Sequence, residues 1–455
     1  MMSSFRSRRF LPEFRQIALP VMALAVLNAT LGIADVMMVG SLSSDAVAGV
    51  GLAAKLHFIT ILVILGFATA GRVLVAQYYG ARQSGKIKES LVLTLFTSVW
   101  MISPFALLFG FSPESWLRYI SDDVGIVEVA GRYLEITAVI VIFSAINLSF
   151  EISLRAVGYV KLPLYLGGAA AVTNIVLNYM LIFGRFGAPE LGVEGAAWGS
   201  FWARTLQLGV LMAVLYVSRN PLAPRLRDLK ILRDKSRWQA YMSYALPVVG
   251  TFILFGVGSS LYYVIAGRMG EDALKVISII SPIESLMMAV FAGYGEAVAI
   301  LVGRALGARK YQFAWLLRQF TARWGIALAA LTGVLLWLSH PLILAPFRGL
   351  EGETRQLVLN SYLILCLLIW VRVQNMIIIV GVLRAGGDNR WCLNLEIITL
   401  WLVGLPFSAV VGLFLQWSFE WVYLMMFLEA IIKWLASEWR IRQKVWLNNL
   451  THVLA

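Results

Sequence analysis

Apolar runs of about twenty residues or more recur from Phe14 to near the end of this chain, separated by short polar breaks, and this recurrence limits the possible folds severely. A helix needs about 20 apolar residues to cross a hydrocarbon core about 30 Å thick. Twelve such stretches can be marked, at 14–39, 46–71, 91–111, 127–151, 160–184, 191–217, 240–266, 273–302, 319–345, 357–383, 393–416 and 419–439. With 60% of its residues hydrophobic and only 14% charged, the chain has too little polar surface for a soluble fold. Within lipid only helices and closed barrels satisfy their own backbone groups, and runs this long exceed a barrel strand. The expected fold class is therefore an all-α integral membrane protein with twelve transmembrane helices. The opening "FRSRRFLPEFR" precedes apolar sequence as a signal peptide would, but that run is too long and carries Asn28 and Asp35, so it reads as a retained first span.

A net charge of +13 raises the question of a nucleic-acid partner, and the placement of the basic residues answers it. With the N-terminus in the cytoplasm, twenty-eight of the 38 lysines and arginines fall in inside segments and six in outside loops. Seven of the inside residues lie between Arg219 and Arg237 and four between Lys433 and Lys444. That bias predicts a multi-pass protein with both termini cytoplasmic, in a bacterial inner membrane. The basicity is a matter of topology, and no nucleic-acid partner is expected. Cys366 and Cys392 read as small buried hydrophobes, and His57, His340 and His452 as scattered span-end or tail residues. There is no Walker lysine motif, HExxH or GxSxG, so no catalytic residues, metal site or cofactor are expected, and the chain is not read as an enzyme. The "SDD" at 121–123 lies in a short outer loop, away from where a magnesium-dependent membrane enzyme would need its acids.

The chain repeats itself. "LPVMALAVLNATLGIADVMMVGSLSSDAV" from Leu19 and "LPVVGTFILFGVGSSLYYVIAGRMGEDAL" from Leu246 are offset by 227 residues. Gly80-Ala81-Arg82 and Gly307-Ala308-Arg309 keep that offset, and "LRAVG" at Leu154 matches "LRAGG" at Leu383 at an offset of 229. The expected organisation is an N-lobe at 1–217 with spans 1–6, a basic cytoplasmic linker at 218–238 and a C-lobe at 239–455 with spans 7–12. Six spans per half give both the same orientation, a pseudo-symmetry that transporters use to frame a site near the midplane. Channels also use repeats, so repetition alone does not distinguish them.

Asp35 sits within the first apolar run, where a carboxylate costs about 2.5–3.5 kcal/mol on insertion scales, and intramembrane acids mark ion or proton pathways by default. Its repeat partner is Tyr262, so the fold itself does not require an acid there. Pro20 lies 15 residues earlier in the same span and fits a fixed kink as well as a moving hinge. Asn174 and Asn178 are four residues apart on one helix face, a spacing suited equally to interhelical bonding and to holding a carboxylate or cation. Span 4 adds Tyr133, Glu135, Asn147 and Glu151, the two glutamates nearer its ends and read as wet. Sixteen tryptophans, 24 phenylalanines and 15 methionines suit bulky aromatic guests, although any helical bundle packs such residues.

Taken together, the entry "LPVMALAVLNATLGIADVMMVG", the paired "GAR" turns, "LRAVG" and "LRAGG", and "NIVLNYMLIFG" with "LGVEGAAWGS" resemble the multidrug and toxic compound extrusion (MATE) family over essentially the whole chain. The resemblance implies two six-helix lobes in a V, exporting cationic, lipophilic compounds in exchange for protons or sodium. The NorM-like branch carries a glutamate in span 7 and an aspartate in span 10, where this chain has Phe255 and Val373, so the chain looks like the DinF-like branch. That likeness implies Asp35 as the ion-coupling acid and Pro20 as the bend in span 1. It also implies a hydrogen-bonding surround of Asn174, Asn178, Tyr133, Asn147 and Ser200.

Members of that branch often have an aspartate at the position of Asn178, and its loss here favours protons over sodium as the coupling ion. The expected partners are small organic cations and the lipid bilayer, and the expected state is a monomer. Two other readings stay in view. A lipid-linked precursor flippase would need a cationic cleft, for which Arg132, Arg204 and Arg372 are the candidates within or bordering the spans, and a channel-like or binding membrane protein would not exchange substrates.

Overall fold

A computed structural model of the chain describes residues 7–345 and 352–454, which form helices and turns and contain no strand. Twelve long helices run in order: α1 (Ser7–Gly40), α2 (Ser44–Gly80), α3 (Ser84–Gly110), α4 (Val124–Val157), α5 (Lys161–Phe183) and α6 (Val193–Val217). The second six are α7 (Lys235–Met269), α8 (Glu271–Gly307), α9 (Tyr311–Ile343), α10 (Gly352–Gly386), α11 (Asn389–Phe414) and α12 (Phe419–Arg442). Each expected span falls on one of these helices. Eleven of them, α1 to α11, are long and apolar enough to cross a bilayer. The twelfth has the length, 24 residues, but carries Glu429 and Lys433 in its interior.

Several helices outrun the apolar stretches that foreshadow them. At 37 residues, α2 and α8 are each about 55 Å long, well beyond a hydrocarbon core of about 30 Å. Once a helix is nucleated each added residue gains a backbone bond, so it continues until a turn signal stops it. Stretches of α10 and α11, Met376–Leu383, Ile397–Gly404 and Val410–Phe414, wind as wider π-helical turns.

Those stop signals show the repeat in backbone geometry. After α2 and α8, Arg82 and Arg309 adopt φ of 61° and 58°. The next N–H then bonds back to the helix, Gln83 to the Tyr78 carbonyl at 2.9 Å and Lys310 to that of Ala305 at 2.8 Å. After α4 and α10, Gly158 and Gly387 take φ of 105° and 84°, followed by Tyr159 N–H to Leu154 O at 2.9 Å and Asp388 N–H to Leu383 O at 3.1 Å. All four are left-handed C-terminal caps that use carbonyls the helix leaves open. The sequence repeats are thus turn instructions.

By internal packing the chain forms two compact units, one spanning Arg15–Val249 with the last residues, the other spanning Gly250–Leu450 with the first residues up to Phe14. In the first unit α4 packs along α2, α3 and α6, and α5 packs on α6. The basic segment 218–238 joins this unit: a 3-10 turn at Leu226–Arg233 lies on α3, where Lys88 pairs with Asp228 at 3.8 Å, and Arg237 pairs with Glu89 at 3.0 Å. Tyr241, early in α7, follows it, donating to Thr94 at 3.0 Å. In the second unit α10 packs on α8, α9 and α12. Phe14 of α1 meets Tyr294 edge-on there, with centroids 5.0 Å apart.

Alanine at Gly158 or Gly387 should cost about 1–2 kcal/mol each, because an L-residue resists the left-handed region. At Gly387 the added Cβ would also stand 2.7 Å from a Leu450 methyl. Lowered thermal midpoints of the purified protein in both variants are expected, and unchanged midpoints would rule out this account of the turns.

Candidate functional site

The candidate site belongs to the first unit and is assembled by α1, α4, α5 and α6. α1 lies against α5 where Gly167 leaves room for Leu24, whose methyl would stand 2.5 Å from a Cβ there. Further along, Val39 of α1 packs with Ala46, Ile182 and Ala196, and Tyr133 rests against that cluster. These contacts hold half-buried Asp35 beside the amide face of α5.

Asn178 Nδ2 donates to Asp35 Oδ1 at 2.8 Å and to Asn174 Oδ1 at 3.3 Å. Asn174 Nδ2 donates in turn to Ser200 Oγ of α6 at 3.0 Å. The Tyr133 hydroxyl, from α4, lies within hydrogen-bonding reach of Ser200. Asp35, Asn178, Asn174, Ser200 and Tyr133 therefore form one chain of polar contacts across four helices. α6 can approach this closely because Gly199 has no side chain: a Cβ there would overlap Asn178 Oδ1. That buried oxygen has no hydrogen-bond partner among the described residues.

Two of the expected site residues stand apart from this chain. Pro20 lies 15 residues before Asp35 on α1, about 22 Å along the axis, and α1 runs through it as one helix. Asn147 is buried on α4, and neither of its amide atoms has a hydrogen-bond partner among the described residues.

The structure also supplies residues that sequence reasoning passed over or read differently. Glu151 is not simply a wet span-end acid. It accepts from Gln207 Nε2 at 2.8 Å, and Gln207 Oε1 accepts from Arg204 at 2.9 Å. Arg204 is the cation whose field reaches Asp35. The spacing of Arg204 and Gln207, three apart on one face, was the available signal. His57 is not at a span end but well inside α2, its Nε2 2.8 Å from Thr137 Oγ1 and its ring edge-on to Tyr133 at 6.5 Å. Cys366 and Cys392 are buried and free.

Lys433, counted above among cytoplasmic basic residues, is instead buried within α12 between Glu396 at 3.1 Å and Glu429 at 2.6 Å. An apolar neighbourhood tolerates the ammonium because two carboxylates meet it, a pairing invisible to a loop count. The inside-to-outside excess keeps its sign without it.

The repeat is also the frame of a known family. The MatE family model matches twice, at residues 20–180 and 247–410, and the two matches begin 227 residues apart, the offset of the sequence repeat. The "Uncharacterized transporter YisQ" of Bacillus subtilis is 22% identical, covering 92% of this chain and 91% of the relative. A "Probable multidrug resistance protein NorM" of Bradyrhizobium diazoefficiens is 27% identical, over 88% and 86%. Among solved structures, an Asp-to-Asn variant of the Vibrio cholerae MATE transporter VcmN superposes with a TM-score of 0.87 at 16% identity, over 97% and 98% of the two chains. A MOP superfamily transporter from Pyrococcus furiosus superposes with a TM-score of 0.84 at 18% identity, over 94% and 95%. With both halves matched in order on an all-helical fold of apolar spans, the chain belongs to the MatE family and is a multi-pass membrane transporter, not an enzyme.

Proposed function

We propose that this transporter exports organic cationic and lipophilic compounds in exchange for protons, with Asp35 taking up and releasing the coupling proton. The observation that carries this reading is the bond from Asn178 Nδ2 to Asp35 Oδ1 at 2.8 Å, which ties α1 to α5 through a group that can lose its charge. A carboxylate only accepts hydrogen bonds, whereas its protonated form has an O–H to donate. Protonation therefore requires a new acceptor, and Asn178 Oδ1, buried and without a partner among the described residues, becomes that acceptor once the amide turns over. The change reaches Asn174 and Ser200 through the bonds they share with Asn178.

In the cycle that follows, the Asp35 carboxylate attracts the organic cation. A proton arriving from outside neutralises it, α1 bends at Pro20, and the compound leaves outward; loss of the proton to the cytoplasm restores the straight helix. This is alternating access, with both termini cytoplasmic and the protein acting as a monomer in the inner membrane. The branch assignment rests on Phe255 and Val373, which stand where the NorM-like acids would fall.

Sodium is the second reading, because Asn178 Oδ1 and the carboxylate are oxygen ligands suited to a hard cation. A flippase for lipid-linked precursors finds less support. Arg132 pairs with Glu128 and Glu194, Arg204 is held by Gln207, and Arg372 pairs with Glu284.

Efflux of a fluorescent cationic dye from proteoliposomes tests the reading. A proton gradient alone should drive it in the wild type, and Asp35→Asn should reduce it to the level of empty liposomes. Efflux driven by sodium would replace the proton, and normal pumping by Asp35→Asn would remove the acid from the mechanism. Gly199→Ala should displace Asn178 and slow efflux by about threefold to tenfold, equivalent to losing about 0.7–1.4 kcal/mol from one hydrogen bond. A wild-type rate would mean that the Asp35–Asn178 bond does not control transport. Pro20→Ala should slow efflux while dye binding persists, and an unchanged rate would exclude the hinge.

A further inference from the structure

The basic linker between the halves has no part in the Asp35 mechanism, yet its winding sorts its side chains. A 3-10 helix has three residues per turn, so side chains three apart line up along one edge. Over Leu226–Arg233 this spacing sets out three edges. Asp228 and Ile231 share the inner edge, against α3, where the Asp228 side chain is only 14% exposed and Ile231 is buried. Arg227, Lys230 and Arg233 share the second, and all three are exposed. Leu229 and Leu232 share the third, with Leu229 46% exposed.

Segment 218–238 has two acids against seven cations, and both acids are occupied within the protein. Asp228 meets Lys88 of α3 at 3.8 Å and accepts from the Arg225 N–H at 2.8 Å. Asp234 pairs with Arg237 at 3.1 Å and accepts from the N–H groups of Ser236 and Arg237. Glu89 of α3, facing the same segment, is shared by Arg237 and Lys86, each at 3.0 Å. Arg227 comes within 3.8 Å of Asp228, but its side chain stays 68% exposed. Arg219, Arg225 and Lys235 add exposed charge on either side. The outward side of the linker is therefore a cationic edge running beside an apolar one.

The segment is also kept near the bilayer, because α6 ends at Val217 and α7 begins at Lys235, and both are long and apolar enough to cross it. Tyr216, half exposed in the last turn of α6, donates its hydroxyl to the Pro224 carbonyl at 2.7 Å. An amphipathic ring of this kind belongs at headgroup level. Apolar and cationic edges side by side suit a segment lying in the interface, with its apolar side toward the acyl chains and its cations among phosphates. We infer that Leu226–Arg233 is a docking surface for anionic phospholipid headgroups. Arg227, Lys230 and Arg233 meet the phosphates, and Leu229 enters the boundary between headgroups and acyl chains. With the linker on the cytoplasmic side, as in the orientation proposed above, these are lipids of the inner leaflet. The pairs Lys88–Asp228 and Arg237–Glu89 fasten the segment to α3, so lipid bound there is bound to the first unit.

Fluorescence quenching on the full-length protein in phosphatidylcholine nanodiscs tests this, with the fluorophore NBD attached at Leu229→Cys. Cys366 and Cys392 are buried, which directs the label to position 229. Spin-labelled phosphatidylglycerol or spin-labelled phosphatidylcholine is added as a minor component. The anionic lipid should quench with an apparent affinity at least about fivefold higher, the ratio that one cation near the surface gives. That preference should fall to about one when Arg227→Gln, Lys230→Gln and Arg233→Gln are combined. It should fall likewise for the unsubstituted edge in about 1 M salt, where screening acts within about 3 Å. Arg227→Lys, Lys230→Arg and Arg233→Lys combined keep the charges and should keep the preference. Equal quenching by the two lipids overturns the proposal, as does a preference that survives the glutamine variant or the salt. So does binding of polyglutamate or a DNA oligonucleotide without any lipid preference, which would assign the edge to a soluble acidic partner.

Discussion

A bilayer core offers no hydrogen-bond partner to a polar side chain, so each polar group inside these helices must find one in the chain. Several hydroxyls do so locally. Thr94, Thr97, Ser149 and Thr321 each donate to the carbonyl four residues back, at 2.8, 2.7, 2.7 and 2.9 Å. Charged and amide side chains cannot be satisfied this way and must reach a second helix, which makes them the residues that join helices to one another. Arg372 to Glu284, Gln207 to Glu151 and Asn178 to Asp35 are joints of this kind.

The two halves meet that requirement with different chemistry on the same framework. Their helix ends repeat closely, down to the left-handed residue and the N–H that bonds back behind it. Turn geometry is set by backbone conformation and tolerates little change. Interior polar positions are under no such constraint, provided that each group is matched. Around Asp35 the first half joins its helices with neutral amides and hydroxyls on one carboxylate, whereas around Tyr262 and Glu284 the second half uses lysine, arginine and glutamate. Asp35 and Tyr262, equivalent by the repeat, mark this divergence.

This difference explains which features were legible in the sequence. Helix number and approximate position followed from hydropathy, because span length reflects membrane thickness. The halves followed from turn motifs, and Asp35 with Asn174 and Asn178 from an acid in an apolar run and a four-residue spacing. The helix lengths were underestimated because a helix does not stop where its apolar stretch does. Lys433 was misplaced because a basic residue near a span end looks like a loop residue until its carboxylates are located, and one of them, Glu396, is 37 positions away. Glu284 with Arg372 was equally out of reach, since pairing between α8 and α10 has no local signature. Asn147 shows a different boundary: its burial is visible only in the structure, and its two amide atoms remain unmatched there among the described residues.

The strength of these joints bears on which helix can move. A hydrogen bond to one charged group contributes about 1.5–3 kcal/mol, whereas removing one partner of a buried ion pair costs about 3–5 kcal/mol. Lys433 is held by two carboxylates at once, so separating α11 from α12 at that level means exposing charge to lipid. The joint of α1 at Asp35 is one amide donor on one carboxylate, and a single proton removes the charge that strengthens it. A switching element needs two arrangements of similar free energy, and a joint that one proton can weaken provides them more readily than one that must strand an ion. On that physical ground the joint of α1 at Asp35 is the easier of the two to release, and the α11–α12 joint at Lys433 the harder.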